Sequence, residues 1–213
     1  MNSLRRYFLD NCLKRNKDYF KDKVVLDAGG KKINKRGNFN PEKIESKKWV
    51  YFNIDTNTKP DIQGDINNNN FINGEFDVVL MIELLEYMQD PTTTLLEAKR
   101  ILKKNGYIIF SVPFIHPLHG DRDFDYFRFS DSGIRLLVKK IDMKIVEVTT
   151  MGSTLSVIFD ILRINFSYNK NIFYKFFYFI LLSISPFIKI IYQLFKLKNE
   201  YINTGYFVVV KKV

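Results

Sequence analysis

Residues 76–129, FDVVLMIELLEYMQDPTTTLLEAKRILKKNGYIIFSVPFIHPLHGDRDFDYFRF, leave this chain few folds to choose from. They set a buried strand, a capped helix, a second buried strand and a polar aromatic loop in unbroken succession. Phe76 to Ile82 is almost continuously apolar, as in a parallel strand covered on both faces, and the run ends at Glu83 and Glu86. Asp90 is placed to cap the next helix, and Pro91 sits in its first turn, where no amide donor is lost. Leu95, Ala98 and Leu102 recur on one face, and Asn105-Gly106 are expected to end it. Tyr107 to Val112 reads as the second buried strand.

Upstream, Lys23 to Gly30 (KVVLDAGG) is a strand running into a glycine turn. Tyr51 to Asp55 (YFNID) is a strand closing on a carboxylate, and Asp61 to Ile66 (DIQGDI) is a short third. An open parallel sheet binds ligands beyond the carboxyl ends of its strands, which brings Asp27, Gly29, Asp55, Asp65 and Glu83 to one edge. Glycine lets the backbone approach a ligand, and a carboxylate can accept from both hydroxyls of a ribose.

These residues resemble class I S-adenosylmethionine-dependent methyltransferases, in particular the methyltransferase type 11 group, over most of the chain. The resemblance implies an α/β, Rossmann-like, mostly parallel sheet with an antiparallel last strand. It also implies S-adenosylmethionine as cofactor, with Asp27, Gly29 and Gly30 beside its methionine part, Asp55 on the ribose, Asp65 and Ile66 at the adenine, and Glu83 in the same site. The chain departs from the family at Lys31, where a further glycine is usual, and at Tyr87, where relatives often carry histidine. The stretch Lys31 to Lys48 is short and polar for a full first helix, with only Pro41 to Lys48 opening like one.

Residues 112–130, VPFIHPLHGDRDFDYFRFS, stand where this fold puts its acceptor pocket. They resemble a subgroup associated with surface-polysaccharide synthesis, through Val112-Pro113-Phe114, Pro117, His119, Asp125-Tyr126, Arg128-Phe129 and Ser130. Methyl transfer to a hydroxyl requires removal of a proton from oxygen, and imidazole titrates where a base is both free and effective. His119 is the expected base, with Asp121 or Asp125 orienting it or substituting for it. Arg128 is expected to hold an anionic group of the acceptor through its fork of donors, and Tyr126 to stack on a sugar. The alternative is that Asp125, Tyr126 and Arg128 only pin the loop. His116, next to Pro117, reads as structural.

At 213 residues and 46% hydrophobic, the chain suits a single domain over 1–213 with an ample core. Its net charge of +10 is mostly lysine. Such a surface attracts phosphates or anionic lipid, or it reflects nothing more than a genome rich in A and T. Nucleic acid is not an expected partner, because no aromatic RNA-binding module and no base-methylating motif is present. One cysteine, Cys12, and two histidines argue against a disulfide and against a metal site. Residues 3–19 read as an amphipathic lead-in helix with Leu4, Phe8 and Cys12 on one face, not as a secretory signal.

A sixth strand, Lys144 to Thr150, and a last one, Tyr206 to Val210, should close the sheet. Between them residues 151–204 form an apolar helical insertion. Leu155, Ile158, Phe159 and Leu162 mark one amphipathic helix, and Pro186 is expected to break residues 172–197 into a hairpin. The charge-free core Phe176 to Ile188 falls short of the roughly 20 residues a spanning helix needs. Two uses stay open for the insertion: a cap buried on the domain or in a homodimer, and a monotopic patch on a membrane. The expected activity is methylation of a hydroxyl on a small-molecule or lipid-linked saccharide, in the cytoplasm or peripherally on the inner face of the membrane. A catalytically silent, partner-binding relative and a nucleic-acid methyltransferase are the alternatives.

Overall fold

A computed structural model describes residues 3–35, 37–120, 122–195 and 199–213. A seven-stranded sheet runs through the molecule. Its strands are β1 (Val24–Ala28), β2 (Lys48–Asn53), β3 (Ile62–Gln63), β4 (Phe76–Ile82), β5 (Leu102–Pro113), β6 (Lys144–Met151) and β7 (Gly205–Lys211). The order across the sheet is β3-β2-β1-β4-β5-β7-β6, with β7 antiparallel to both neighbours and the other pairings parallel. This is the Rossmann-like arrangement expected from the sequence, with its reversal at the last strand.

The continuous apolar strands are explained by cover on both faces. Leu26, Val79, Met81, Ile108 and Phe110 point to one side, where they meet helices α2 (Pro91–Ile101) and α3 (Asp131–Lys140). Val25, Val78, Leu80, Ile109 and Phe207 point to the other and bury Leu9, Cys12 and Leu13 of helix α1 (Leu4–Arg15). Helix α2 starts on the expected cap, and α3 starts on Ser130. Asp90 Oδ1 accepts from the amides of Thr92 and Thr93 at 2.9 and 3.2 Å, and Ser130 Oγ accepts from the Gly133 amide at 3.2 Å.

Two boundaries differ from the expectation. The helix α2 stops at Ile101, before Asn105-Gly106, because β5 already pairs from Leu102. Residues 103–106 then form an irregularity inside that strand, with Asn105 at φ 63° and Gly106 so close to Asp77 O that a Cβ would sit 2.8 Å away. The helical opening expected over Pro41 to Lys48 is a single 3-10 turn, Pro41–Lys43, and among the described residues no full helix follows the glycine turn, in keeping with its short, polar sequence. Between β2 and β3 there is likewise only the turn Thr56–Thr58.

The insertion differs most. Helix α4 (Thr154–Tyr168) and helix α5 (Ile172–Phe195) form the hairpin, with its bend at residues 169–171, and Pro186 lies inside an unbroken α5. A proline costs one internal hydrogen bond, about 3 kcal/mol in a helix interior, and the docked stripe of Ser185, Ile188 and Tyr192 holds the helix across that gap. The expected hairpin reached Leu197, and Lys196 and Leu197 lie outside the described residues. The face of α4 marked by Leu155, Ile158 and Leu162 is exposed, and Ser156, Val157, Phe159 and Asp160 are buried instead. Within the single chain these helices are therefore not wholly buried on the domain.

Candidate active site

The carboxyl ends of β1 and β4, α1, the end of α4 and the loop after β5 enclose a cavity of about 740 Å³. Asp27, Gly29, Gly30, Lys31, Glu83 and His119 all contribute to its wall. The glycine turn is shaped for close approach. Gly29 has φ 79° and donates to Phe52 O at 2.8 Å, and a Cβ on Gly30 would lie 2.3 Å from Asp27 Cγ. Asn53 fixes the turn by donating from Nδ2 to the carbonyls of Gly29 and Gly30 at 2.9 and 3.0 Å.

Asp27 accepts from Trp49 Nε1 at 3.2 Å. Burial pushes its carboxyl up to about 7, against the pull of the Trp49 bond and of the Lys35 and Arg6 charges. A carboxyl raised in the folded chain adds stability at acid pH and loses it as pH rises through the folded value. Asp27→Asn should therefore raise urea stability by about 2 to 4 kcal/mol at pH 8 and by much less at pH 4. An equal gain at both pH values would show that the titration of Asp27 is not the cause.

Glu83 lies just past β4 with φ 52°, a conformation that costs a non-glycine residue about 1 to 3 kcal/mol. Its amide donates to Ser111 O and Oγ, and Ser111 Oγ donates back to Oε1 at 2.6 Å. Arg5 of α1 holds both carboxylate oxygens, Nε to Oε2 at 2.8 Å and Nη2 to Oε1 at 2.5 Å, and donates from Nη1 to Thr204 O. Burial alone would raise the Glu83 carboxyl. The Arg5 charge and the bonds from Arg5 and Ser111 outweigh it and hold Glu83 well below the ordinary carboxylate range.

His119 stands between carboxylates on both sides of its ring. Nδ1 is 3.4 Å from Asp125 Oδ2, and Nε2 is 3.5 Å from Glu86 Oε1 and 4.0 Å from Glu83 Oε2. Glu86 is fully buried, and neither of its oxygens has a hydrogen bond of ordinary length. Burial and the neighbouring Glu83 charge push its carboxyl up, with His119 pulling the other way. Asp125 also accepts the His119 amide at 2.9 Å. Tyr87 anchors the loop by donating to His119 O at 3.2 Å, and Gly120 packs so closely on Tyr87 Oη that a Cβ would come within 2.2 Å.

Other expected residues lie differently. All of the Arg128 nitrogens bond within the loop: Nη1 and Nη2 to Asp125 at 2.5 and 2.7 Å, Nε to His116 O at 3.0 Å and Nη2 to Pro117 O at 3.1 Å. That is the loop-pinning role. Tyr126 is exposed, Asp121 lies outside the described residues, and burial together with the Arg5 and His119 charges lowers His116 to about 3, keeping it neutral. Asp55 and Asp65 are exposed at the strand edge and cap local turns, accepting from the amides of Asn57 and Asn67 at 2.9 Å. Ile66 is buried in the core under them. Arg5, Asn53, Trp49 and Glu86 were not expected in the site.

Glu83, Glu86 and His119 bring potential metal-ligand atoms within 4.8 Å of one another. Arg5 already occupies both oxygens of Glu83, which sets a cation where a metal ion would have to compete.

Residues 41–110 match the family model of a methyltransferase domain, the type 11 group, in a segment that includes Asp55, Asp65, Ile66 and Glu83. No curated protein sequence matches the chain. Among solved structures, a SAM-dependent methyltransferase from Archaeoglobus fulgidus superposes with a TM-score of 0.60 at 15% identity, over 97% of this chain and 94% of that one. The 1,6-didemethyltoxoflavin-N1-methyltransferase of Burkholderia thailandensis, with S-adenosylhomocysteine bound, gives 0.59 at 10% identity, over 99% and 78%. A SAM-dependent methyltransferase from Methanosarcina mazei gives 0.55 at 11% identity, over 93% and 97%. The family match, with a fold shared with these proteins, supports a class I methyltransferase that uses S-adenosylmethionine.

Proposed function

We propose that this protein methylates a hydroxyl group of a saccharide or glycan intermediate. The observation that carries the reading is the position of His119, held by Asp125 on the wall of the same cavity that Asp27, Gly29 and Glu83 line. The glycine turn and Asp27 suit the cofactor's methionine part, because a buried carboxylate without a full positive partner favours an incoming ammonium. Lys31, exposed at the cavity wall, is available to the carboxylate of that same part. Asp55 and Asp65 lie outside that cavity wall, and their assignment to the ribose and adenine rests on the family resemblance alone.

S-adenosylmethionine supplies an electrophilic methyl group on sulfur; an oxygen–carbon bond forms as the sulfur–carbon bond breaks, leaving the thioether. The protein must align the acceptor oxygen and take its proton. His119 is the residue placed to take the proton at Nε2, with Asp125 Oδ2 3.4 Å from Nδ1 orienting the ring. Arg163, paired with Asp160 at 3.6 Å, also lines the cavity wall.

Calorimetric titration with S-adenosylmethionine, followed by mass spectrometry of candidate saccharides, tests the reading. Asp55→Ala is expected to weaken cofactor binding by about 1.5 to 3 kcal/mol through loss of charge-assisted hydrogen bonds, with the fold intact. Unchanged affinity would take Asp55 out of the site. A wild-type protein that binds no cofactor at millimolar concentration would instead favour a silent, partner-binding relative.

A further inference from the structure

Helices α4 and α5 leave a large part of their apolar surface uncovered. The inward face of α4 carries Val157 and Phe159 together with Ser156 and Asp160, whose carboxylate accepts the amides of Leu4 and Arg5 at 3.0 Å each and so caps α1. Its outward face carries Leu155, Ile158, Ile161 and Leu162. In α5 the docked stripe is Leu181, Ser185, Ile188 and Tyr192, and Tyr192 Oη bonds with Ser153 and Ser156. The rest is exposed and apolar: Phe173 is 65% accessible, Phe187 66% and Leu194 70%. Only 17% of its most apolar eighteen-residue window is buried, whereas a core helix would be mostly covered. A contiguous apolar face of this kind marks an interaction site.

We propose that the α4–α5 hairpin lies in the surface of an anionic lipid bilayer. Charge selects lipid over a second copy of the chain. From Thr154 to Phe195 the one acid, Asp160, is buried and paired with Arg163 at 3.6 Å, which leaves Lys170, Lys175 and Lys189 as the uncompensated charges of the hairpin. Two such faces repel each other, while anionic head groups attract both.

By length and composition α5 could cross a membrane, but two observations keep it flat. Its docked stripe holds it against Leu4, Phe8 and Phe159. Lys175 and Lys189 also enclose a charge-free stretch that at 1.5 Å per residue spans about 20 Å, short of a hydrocarbon core of about 30 Å. The end of α4 continues into the cavity wall through Arg163, Ile164, Ser167 and Tyr168, beside the His119 loop. Seated on lipid, the protein would turn that wall toward the bilayer surface, so that an acceptor carried on a lipid reaches His119 from the membrane. This last step rests on the function proposed above.

The test is flotation of the purified protein with vesicles of phosphatidylcholine alone and of phosphatidylcholine with phosphatidylglycerol, with S-adenosylmethionine titrated into the same preparation. The wild type is expected to float with the anionic vesicles and to partition on the order of tenfold less onto neutral ones. Phe176→Asp with Phe187→Asp should release it while circular dichroism and cofactor affinity stay as in the wild type. Should that variant not fold, Lys170→Glu with Lys175→Glu changes only exposed side chains and should lower anionic partition by a similar factor. A wild-type protein that stays in solution overturns the proposal, whether it sediments as a monomer or as a dimer with the face covered. Flotation without cofactor binding would overturn the methyltransferase reading and leave the membrane surface standing.

Discussion

Arg5→Met should cost about 3 to 5 kcal/mol of stability at pH 7.5, because it leaves the Glu83 carboxylate without its cation. Arg5 is almost completely buried, and both of its bonds to Glu83 lie within hydrogen-bonding distance of carboxylate oxygens. The pH dependence identifies the cause. In the wild type the folded value of Glu83 is depressed, so the pair contributes stability above the unfolded value near 4.5 and loses it only as pH falls below that. In the variant burial dominates, the Glu83 carboxyl rises, and stability falls as pH increases. The deficit measured by urea unfolding should therefore be larger at pH 8 than at pH 4. Adding Glu83→Gln should restore part of the loss at pH 8, since the unpaired charge is then gone. A deficit that is constant with pH and not relieved by Glu83→Gln would assign the role of Arg5 to its bond with Thr204 O and to packing.

That pair also marks what the sequence could not show. The strands of the sheet are legible because a parallel sheet covered on both faces demands unbroken apolar runs, and the helix starts are legible because Asp90 and Ser130 satisfy amides that no helix can satisfy internally. Arg5 and Glu83 are 78 positions apart, and no local pattern links an arginine on a lead-in helix to the end of β4. Asn53 and Trp49 were hidden for a related reason. They read as ordinary strand residues, and only the register of β2 on β1 sets them under Gly29 and Asp27. The insertion shows a different limit. Periodicity identified an apolar face on α4, but it cannot say whether that face meets the protein or its surroundings, and Asp160, capping α1, turned it outward. Pro186 read as a break because a proline removes a donor. The intact helix shows that one missing bond is outweighed when the turn beside it is docked.

His119→Ala is expected to lower turnover by about 10²-fold or more with cofactor affinity nearly unchanged, if the proposed base role holds, since the residue lines the cavity and the glycine turn is fixed by Asn53 and not by it. Glu86 gives the experiment its second arm. Its carboxyl is buried, raised by burial and by the Glu83 charge, and 3.5 Å from the nitrogen expected to take the proton. If Glu86 helps the imidazole hold that proton, Glu86→Gln should reduce kcat and move the pH–rate profile, because the group facing Nε2 no longer titrates. If Glu86 only anchors the loop, through its carbonyl accepting from Tyr126 at 2.9 Å and Phe127 at 3.2 Å, then Glu86→Gln keeps that backbone contact and the profile stays in place. Asp125→Asn separates orientation from proton transfer in the same way: it weakens the clasp on Arg128 and the hold on Nδ1 together, so it should lower kcat while making the loop easier to cleave by protease. An active His119→Ala enzyme with the profile of the wild type would mean that aligning the acceptor oxygen with the methyl group is sufficient, and that the proton leaves to water.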